Sequence, residues 1–251
     1  MSNEGKREAE VRHALVRAGE YKKAIRSLDR CIEKHPRDSL LYRERGHLHL
    51  YLGRTQLARS DFDATERLEA AIFHTRAGSL HSDNEYCAIG ITYWMEGHRE
   101  LALAFWRYTT NLLCENHVSY AGQGGGIETG LLLWFGATYA RSPADVELVR
   151  KLYQQRLASK HWSHNLSDWP GPLVQFFLEN IDEAELLKSA ATPTDVCEAH
   201  FALAIRARSQ GRYAASKKYL KCACETTEPF DLYDYYNTWA FILARFEVEK
   251  N

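Results

Sequence analysis

The sequence predicts an all-α chain built as a stack of antiparallel helical hairpins, and three observations predict it. Tyr42, Gly46, Gly53, Ala58 and Phe62 recur as Tyr86, Gly90, Gly97, Ala102 and Trp106, with identical intervals between them. Apolar residues on either side of each pattern follow helical spacing, and the glycines at 53 and 97 fall where two helices must be joined. Self-similarity at a fixed period is the mark of a repeat architecture, in which neighbouring units bury one another's apolar faces.

In the two matched copies, residues 39–52 and 83–96 form the first helices, and residues 55–68 and 99–113 the second. Gly53 and Gly97 follow the first helices, where a left-handed residue closes a helix. Gly46 and Gly90 lie inside a helix, at a cost of roughly 1 kcal/mol against alanine, which predicts a close approach of two backbones. Ala58 and Ala102 offer the facing small surface, and Phe62 and Trp106 are expected to fill the space between one hairpin and the next.

These residues resemble the tetratricopeptide repeat, whose period is about 34 residues. Its pattern lies on residues 39–72 and 83–116. A divergent copy at 5–38 keeps Gly19, Ala24, Leu28 and Pro36 but has Arg12 at the small position of its first helix. A fourth copy, 197–230, carries Ala204, Gly211, Leu220, Ala223 and Pro229, with Ser216 replacing the second-helix alanine. The fold that follows is an α-α superhelix. It comprises an N-terminal array over 5–116, then an irregular helical insert, the fourth hairpin and a closing helix over 117–251.

The insert opens on the glycine-rich 121–130 (AGQGGGIETG), read as a connector because no Gly-Lys-Ser/Thr follows and no strand precedes. Helices are expected at 127–140 and, opened by Pro143 with acids in its first turn, at 143–159. A loop at 160–168 leads to Trp169-Pro170-x-Pro172 and the apolar Leu173–Leu178; a short helix follows at 182–191. Residues 231–247, with Trp239, Phe241, Ile242 and Phe246, are expected to shield the end of the stack from water.

The order of the second half permits a narrower comparison. Trp169-Pro170, Phe176-Phe177-Leu178, Cys197-Glu198-Ala199-x-Phe201 and the aromatic closing helix are joined by Glu44-Arg45-Gly46 and Leu57-Ala58-Arg59-x-Asp61-Phe62. Together these are similar to the bacterial new-lipoprotein-I type of tetratricopeptide protein, over roughly residues 35–246. The resemblance implies a non-catalytic adaptor, often a homodimer, that holds envelope proteases and cell-wall hydrolases. Unlike that family, this sequence shows no lipoprotein signal and no cysteine near its start.

Composition narrows the function classes. The 251 residues are 45% hydrophobic and 26% charged, with 32 basic against 33 acidic residues and a net charge of −1. That balance disfavours nucleic acid, which selects a basic excess. Lys22, Lys23, Arg26 and Arg30 sit among acids and read as a solvated face. The apolar stretch 131–140 is too short for a membrane span, and the polar N-terminus predicts a cytoplasmic address. The six cysteines lack paired zinc spacing and read as reduced thiols, with Cys31 at a small core position.

No cofactor or metal is expected. Among eleven histidines, His47 and His49 face opposite sides of one helix, His74 and His81 form a loose pair, and His161 and His164 lack a third ligand. The sequon Asn165-Leu166-Ser167 has meaning only in a glycosylating route.

If first helices line a groove, outward positions would meet a protein or peptide. These are Leu40, Arg43, His47, Leu50 and Tyr51 in the first matched copy. The second contributes Asn84, Cys87, Ile91, Trp94 and Met95, and the fourth hairpin Phe201, Ile205 and Arg208. Aromatics, methionine and arginine suit protein interfaces. Relatives that hold a C-terminal carboxylate use a lysine and asparagine clamp; Arg43 and His47 replace it here, which disfavours such a ligand. The expected function is therefore a non-catalytic adaptor or scaffold. An immunity protein blocking a toxin is the second reading, and an enzyme using His161, His164 and Asp168 the third.

Overall fold

The computed structural model describes residues 3–73, 83–115, 126–158, 167–226 and 239–250. Among these there are thirteen α-helices and no strand. Compactness divides the chain into residues 1–81 with 228–235, and residues 82–227 with 236–251.

The first unit holds α1 (Asn3–Arg17), α2 (Tyr21–Lys34), α3 (Ser39–Tyr51) and α4 (Thr55–Phe73). Each helix packs on the next. The α3 turn at Gly53 has a left-handed φ of 71°, with Gly53 N–H bonded to Leu50 C=O and Arg54 N–H to His49 C=O. That paired closure satisfies carbonyls that a helix end leaves open, and glycine adopts it without a Cβ penalty. The same two bonds recur after α1 around Gly19.

The second unit begins with the hairpin α5 (Asp83–Met95) and α6 (Arg99–Cys114), then α7 (Ile127–Ala140) and α8 (Pro143–Ala158). Two short helices, α9 (Gly171–Phe177) and α10 (Glu183–Ser189), lead to the hairpin α11 (Pro193–Ser209) and α12 (Tyr213–Cys224), and α13 (Trp239–Glu249) ends the chain. Residues Asp182 and Thr192 start α10 and α11 with reciprocal capping boxes. Gly97 and Gly211 close α5 and α11 as Gly53 closes α3.

Helices α7 and α8 also form a packed hairpin, which the sequence reading placed in an irregular insert. The turn closes on Arg141, at a left-handed φ of 54° without glycine, with Ser142 N–H on Ala137 C=O. A non-glycine closure hides the signal. Counted from their closing residues, Trp134 and Arg150 hold the places of Gly46 and Phe62, with the large ring moved to the first helix. The Arg150 guanidinium lies 5.5 Å from the Trp134 ring centre.

The interior glycines correct an expectation. A Cβ on Gly46 would lie 2.8 Å from Phe62 Cε1, and one on Gly90 only 2.2 Å from Trp106 Nε1. They make room for an aromatic ring of their own hairpin, not for a neighbouring backbone. Trp106 also reaches Gly136 of α7, where a Cβ would stand 3.1 Å from its Cζ3, so this one ring of α6 packs against both α5 and α7.

Buried polar ties fix the helices' register. Arg45 grips both oxygens of Asp61 at 2.9 and 2.6 Å and reaches Asp29 at 2.7 Å, joining α2, α3 and α4. Arg12 meets Glu44 at 3.2 Å with both side chains buried. Arg107 binds Asp145 with two bonds, 2.6 and 2.8 Å, joining α6 to α8. Burial alone would raise the Asp145 pKa, but hydrogen bonds from Arg107 and Ser142 outweigh it and hold the carboxyl below its usual range. Trp169 Nε1 donates to Glu198 at 2.6 Å. Each pair lies within one unit, and several of its members are the residues that carried the narrower family comparison.

Cys31 is buried, as expected, though against Arg12 and Glu8 rather than in a purely apolar place. Lys22, Lys23, Arg26 and Arg30 are all exposed. No described helix is long and apolar enough to cross a membrane.

Candidate interaction surfaces

In the first unit, Leu40, Arg43, His47 and Tyr51 fall on one stripe of α3, since their spacing returns to the same helix face. Leu40 is 42% exposed, and Arg43 and Tyr51 are half-buried. Tyr51 leans on Tyr21 of α2, ring centres 5.0 Å apart. This is the accessible part of the predicted surface. It offers an apolar end, a guanidinium and a pair of phenols.

His47 and Leu50 are not accessible. His47 stands edge-on to Phe62 at 5.0 Å, and Leu50 is fully enclosed. In the second unit Ile91, Trp94 and Phe201 are likewise buried, as are Cys87 and Ile205, while Met95 and Arg208 remain half-buried. The Asn84 side chain lies outside the described residues. The physical reason for the correction is that a first helix here is packed on more than one side. His47 and Trp94 meet a ring of their own hairpin partner, and Trp94 meets α7 as well. Trp94 packs on Trp106, Phe135 and Tyr139, and Phe135 packs on Phe201.

The second unit covers its first-helix face with its own last helix. Helices α5 and α7 pack together, α7 and α11 pack together, and α13 packs on α5, α11 and α12. The expected end cap is thus also a lining, reaching back across the row of first helices. At its centre the buried Glu247 accepts from Trp94 Nε1 at 2.8 Å and from the Tyr139 hydroxyl at 2.7 Å. Burial, followed by the Glu247 charge and hydrogen bond, pushes the Tyr139 pKa well above the ordinary phenol value. Arg99 lies 5.0 Å from the ring centres of both Trp94 and Tyr139, and Arg208 lies 3.5 Å from that of Tyr139.

Glu247 and Tyr139 were missed by sequence reasoning, although a signal existed. Ala240, Leu243 and Ala244 mark a buried face at helical spacing, and the next position on that face is the acid Glu247. A carboxylate continuing an apolar stripe requires donors from elsewhere.

No group of three or more metal-ligating side chains occurs among the described residues. His74, His81, His161, His164 and the sequon residues Asn165 and Leu166 lie outside them, as do Pro229, the connector residues 121–125 and the 231–238 portion of the closing helix. Asp168 is described; its carboxylate accepts from the neighbouring Ser167 hydroxyl at 3.4 Å.

Burial and the charge of Arg43 pull the His47 pKa down to about 3. The unfolded imidazole takes a proton near pH 6.5 and the folded one does not, so stability is lost as pH falls below that value. At about pH 5 the loss from this one residue is about 2 kcal/mol. His49 and His200, also lowered chiefly by burial, act in the same direction. Urea unfolding at about pH 7 and pH 5 is expected to show a smaller acid loss for His47→Leu than for the native chain. Equal losses in the two chains would refute the assignment.

No protein-family model and no curated protein matches this chain.

Proposed function

We propose that this chain is a non-catalytic adaptor of the tetratricopeptide type, its hairpins stacked as an α-α superhelix, that holds a protein or an extended peptide. The observation that carries the reading is the shared register of the two matched hairpins, with a ring seated on an interior glycine and the same paired turn closure in each. Such hairpins spend their residues on packing and leave function to the side chains displayed between them. The bacterial new-lipoprotein-I resemblance points the same way, through residues whose side chains here tie helix to helix.

The partner-facing surface of the first unit is the α3 stripe of Leu40, Arg43 and Tyr51, extended by Tyr21. Binding there is preformed-surface recognition, in which little ordering cost falls on the scaffold. Tyrosine and arginine are among the side chains enriched where a few residues carry most of an interface's binding energy.

The test is affinity capture from host extract with mass spectrometry, using the native chain and the pair Leu40→Ala and Tyr51→Ala. Both substitutions lie on accessible or half-buried positions, so far-UV circular dichroism is expected to stay unchanged. Recovery of the captured partner is expected to fall at least tenfold, the scale of losing one interface anchor of about 1.4 kcal/mol. Undiminished recovery of the same partner by both variants would remove the α3 stripe from the reading. Trp94→Ala is not a useful probe, because that ring belongs to the core.

A further inference from the structure

We infer that the face formed by α5, α7 and α11 is a receptor for a helix, that α13 is its resident intramolecular occupant, and that an external partner would be a helix of the same chemistry. This rests on the adaptor reading above and specifies its ligand for the second unit.

The observation is the mismatch between what α13 needs as an end cap and what it has. An end cap needs only to cover apolar surface. Helix α13 does that with Ala240, Leu243 and Ala244, all buried at the i, i+3, i+4 positions of one face. At i+7 it then buries a carboxylate, which is costly unless donors meet it. Two donors do: Trp94 from α5 and Tyr139 from α7, each on a different oxygen. The rings that supply them are held from the side by the guanidinium groups of Arg99 and Arg208. This is a recognition arrangement for one acid at one depth on a small-faced helix. Neither donor comes from the hairpin next to α13 in sequence.

The partner chemistry follows from that arrangement. It is a helix with small or aliphatic side chains at i, i+3 and i+4 and a glutamate at i+7. Alanine at two of these places lets its backbone approach closely, and the glutamate selects the register. A helix without the acid would leave the Trp94 and Tyr139 donors buried without it, a loss larger than that of an ordinary surface contact. Because α13 is tethered, its effective concentration at this face is high, and an external helix must compete with it.

The full chain carrying Glu247→Ala keeps the receptor donors and weakens the tethered occupant. A fluorescein-labelled peptide of residues 239–249 is added to that chain and to the native one, and anisotropy is read. The variant is expected to bind the peptide at least tenfold tighter than the native chain does. A control peptide with its own Glu247→Ala is expected to lose that gain. If Glu247→Ala fails to fold by circular dichroism, Glu247→Gln, which keeps the shape and one carbonyl acceptor, takes its place in the same comparison. A folded variant that binds no tighter than the native chain, or that binds both peptides equally, overturns the proposal. The α3 variants report separately: if Leu40→Ala and Tyr51→Ala still reduce partner capture, the adaptor reading stands and only this ligand assignment falls.

Discussion

Gly90→Ala is expected to destabilise the second unit by roughly 1–2 kcal/mol, although alanine is the better helix former. The new methyl would stand 2.2 Å from Trp106 Nε1 and 2.7 Å from its Cδ1, closer than any non-bonded contact allows. The indole cannot retreat. Its Nε1 donates to the Cys87 carbonyl at 3.2 Å, one face stacks on Trp94, and its far edge is already against Gly136. Overpacking of this kind costs about 1–3 kcal/mol and sometimes more, against a helix-propensity gain of roughly 1 kcal/mol. Gly46→Ala is expected to cost less, because its nearest neighbours would be the edge of Phe62 at 2.8 Å and Asp61 Cβ at 3.2 Å, both farther than the indole is from Gly90. Urea titration measures both. The mechanism is isolated by repeating Gly90→Ala in a Trp106→Leu background, where the ring is gone and the methyl has room. There the substitution is expected to be neutral or stabilising by up to about 1 kcal/mol; an unchanged cost would mean that something other than the indole resists it.

Glu44→Ala is expected to cost the first unit about 3–5 kcal/mol, the range for removing one member of a buried ion pair. Its partner Arg12 is buried, and the guanidinium would be left with the weak contact to Cys31 Sγ at 3.7 Å and the more distant charge of Glu8. The carboxyl's own pKa is raised, first by burial and against the opposing pull of Arg12. Its protonation is therefore favoured by folding, so this group's contribution is present below the unfolded pKa and is lost as pH rises through the folded one. That direction opposes the histidines and says that the pair does not recover its full desolvation. Replacing both members, Arg12→Met with Glu44→Leu, is accordingly expected to fall within about 1 kcal/mol of the native chain or above it. Thermal or urea unfolding of the single and double variants decides. A single variant that loses less than about 1 kcal/mol would show that Arg12 finds water when its partner is removed.

The two predictions bracket how the repeat is written. Glycine at one place and a ring sixteen positions later is a local code that survives in both matched hairpins. At the corresponding places of α7 and α8 stand Trp134 and Arg150, the guanidinium 5.5 Å from the ring centre, and there the code becomes unreadable. Two large residues in unfamiliar order, closed by Arg141 instead of glycine, have no pattern to match. Likewise the Glu44-Arg45-Gly46 run and the Asp61-Phe62 pair were legible as a motif before their roles were. The structure turns them into an ion pair to α1, a clamp across three helices and a ring seat.

The candidate site was legible only in part, for a reason visible in α3 and α5. Helical spacing identifies which residues share a face, and it puts Leu40, Arg43, His47 and Tyr51 on one stripe of α3. It does not say how many neighbours a face has. In α5, Ile91 and Trp94 were read as outward positions and both are buried, Trp94 against Trp106 of α6, Phe135 and Tyr139 of α7 and Glu247 of α13, so apolar residues on every side of that helix were ambiguous between lining and core.

By itself the sequence determined the helices, the glycine-closed turns and the repeated places of small and large residues, because these depend on spacing within a few tens of residues; that each interior glycine seats a ring of its own hairpin came from the packing. The tertiary structure alone decided that α7 and α8 join the row of hairpins and that α13 folds back over it. It alone brought Trp94, Tyr139 and Glu247 together. Those contacts join residues up to 153 positions apart. Their formation depends on whether donors and a carboxylate meet in three dimensions, which no periodicity along the chain records.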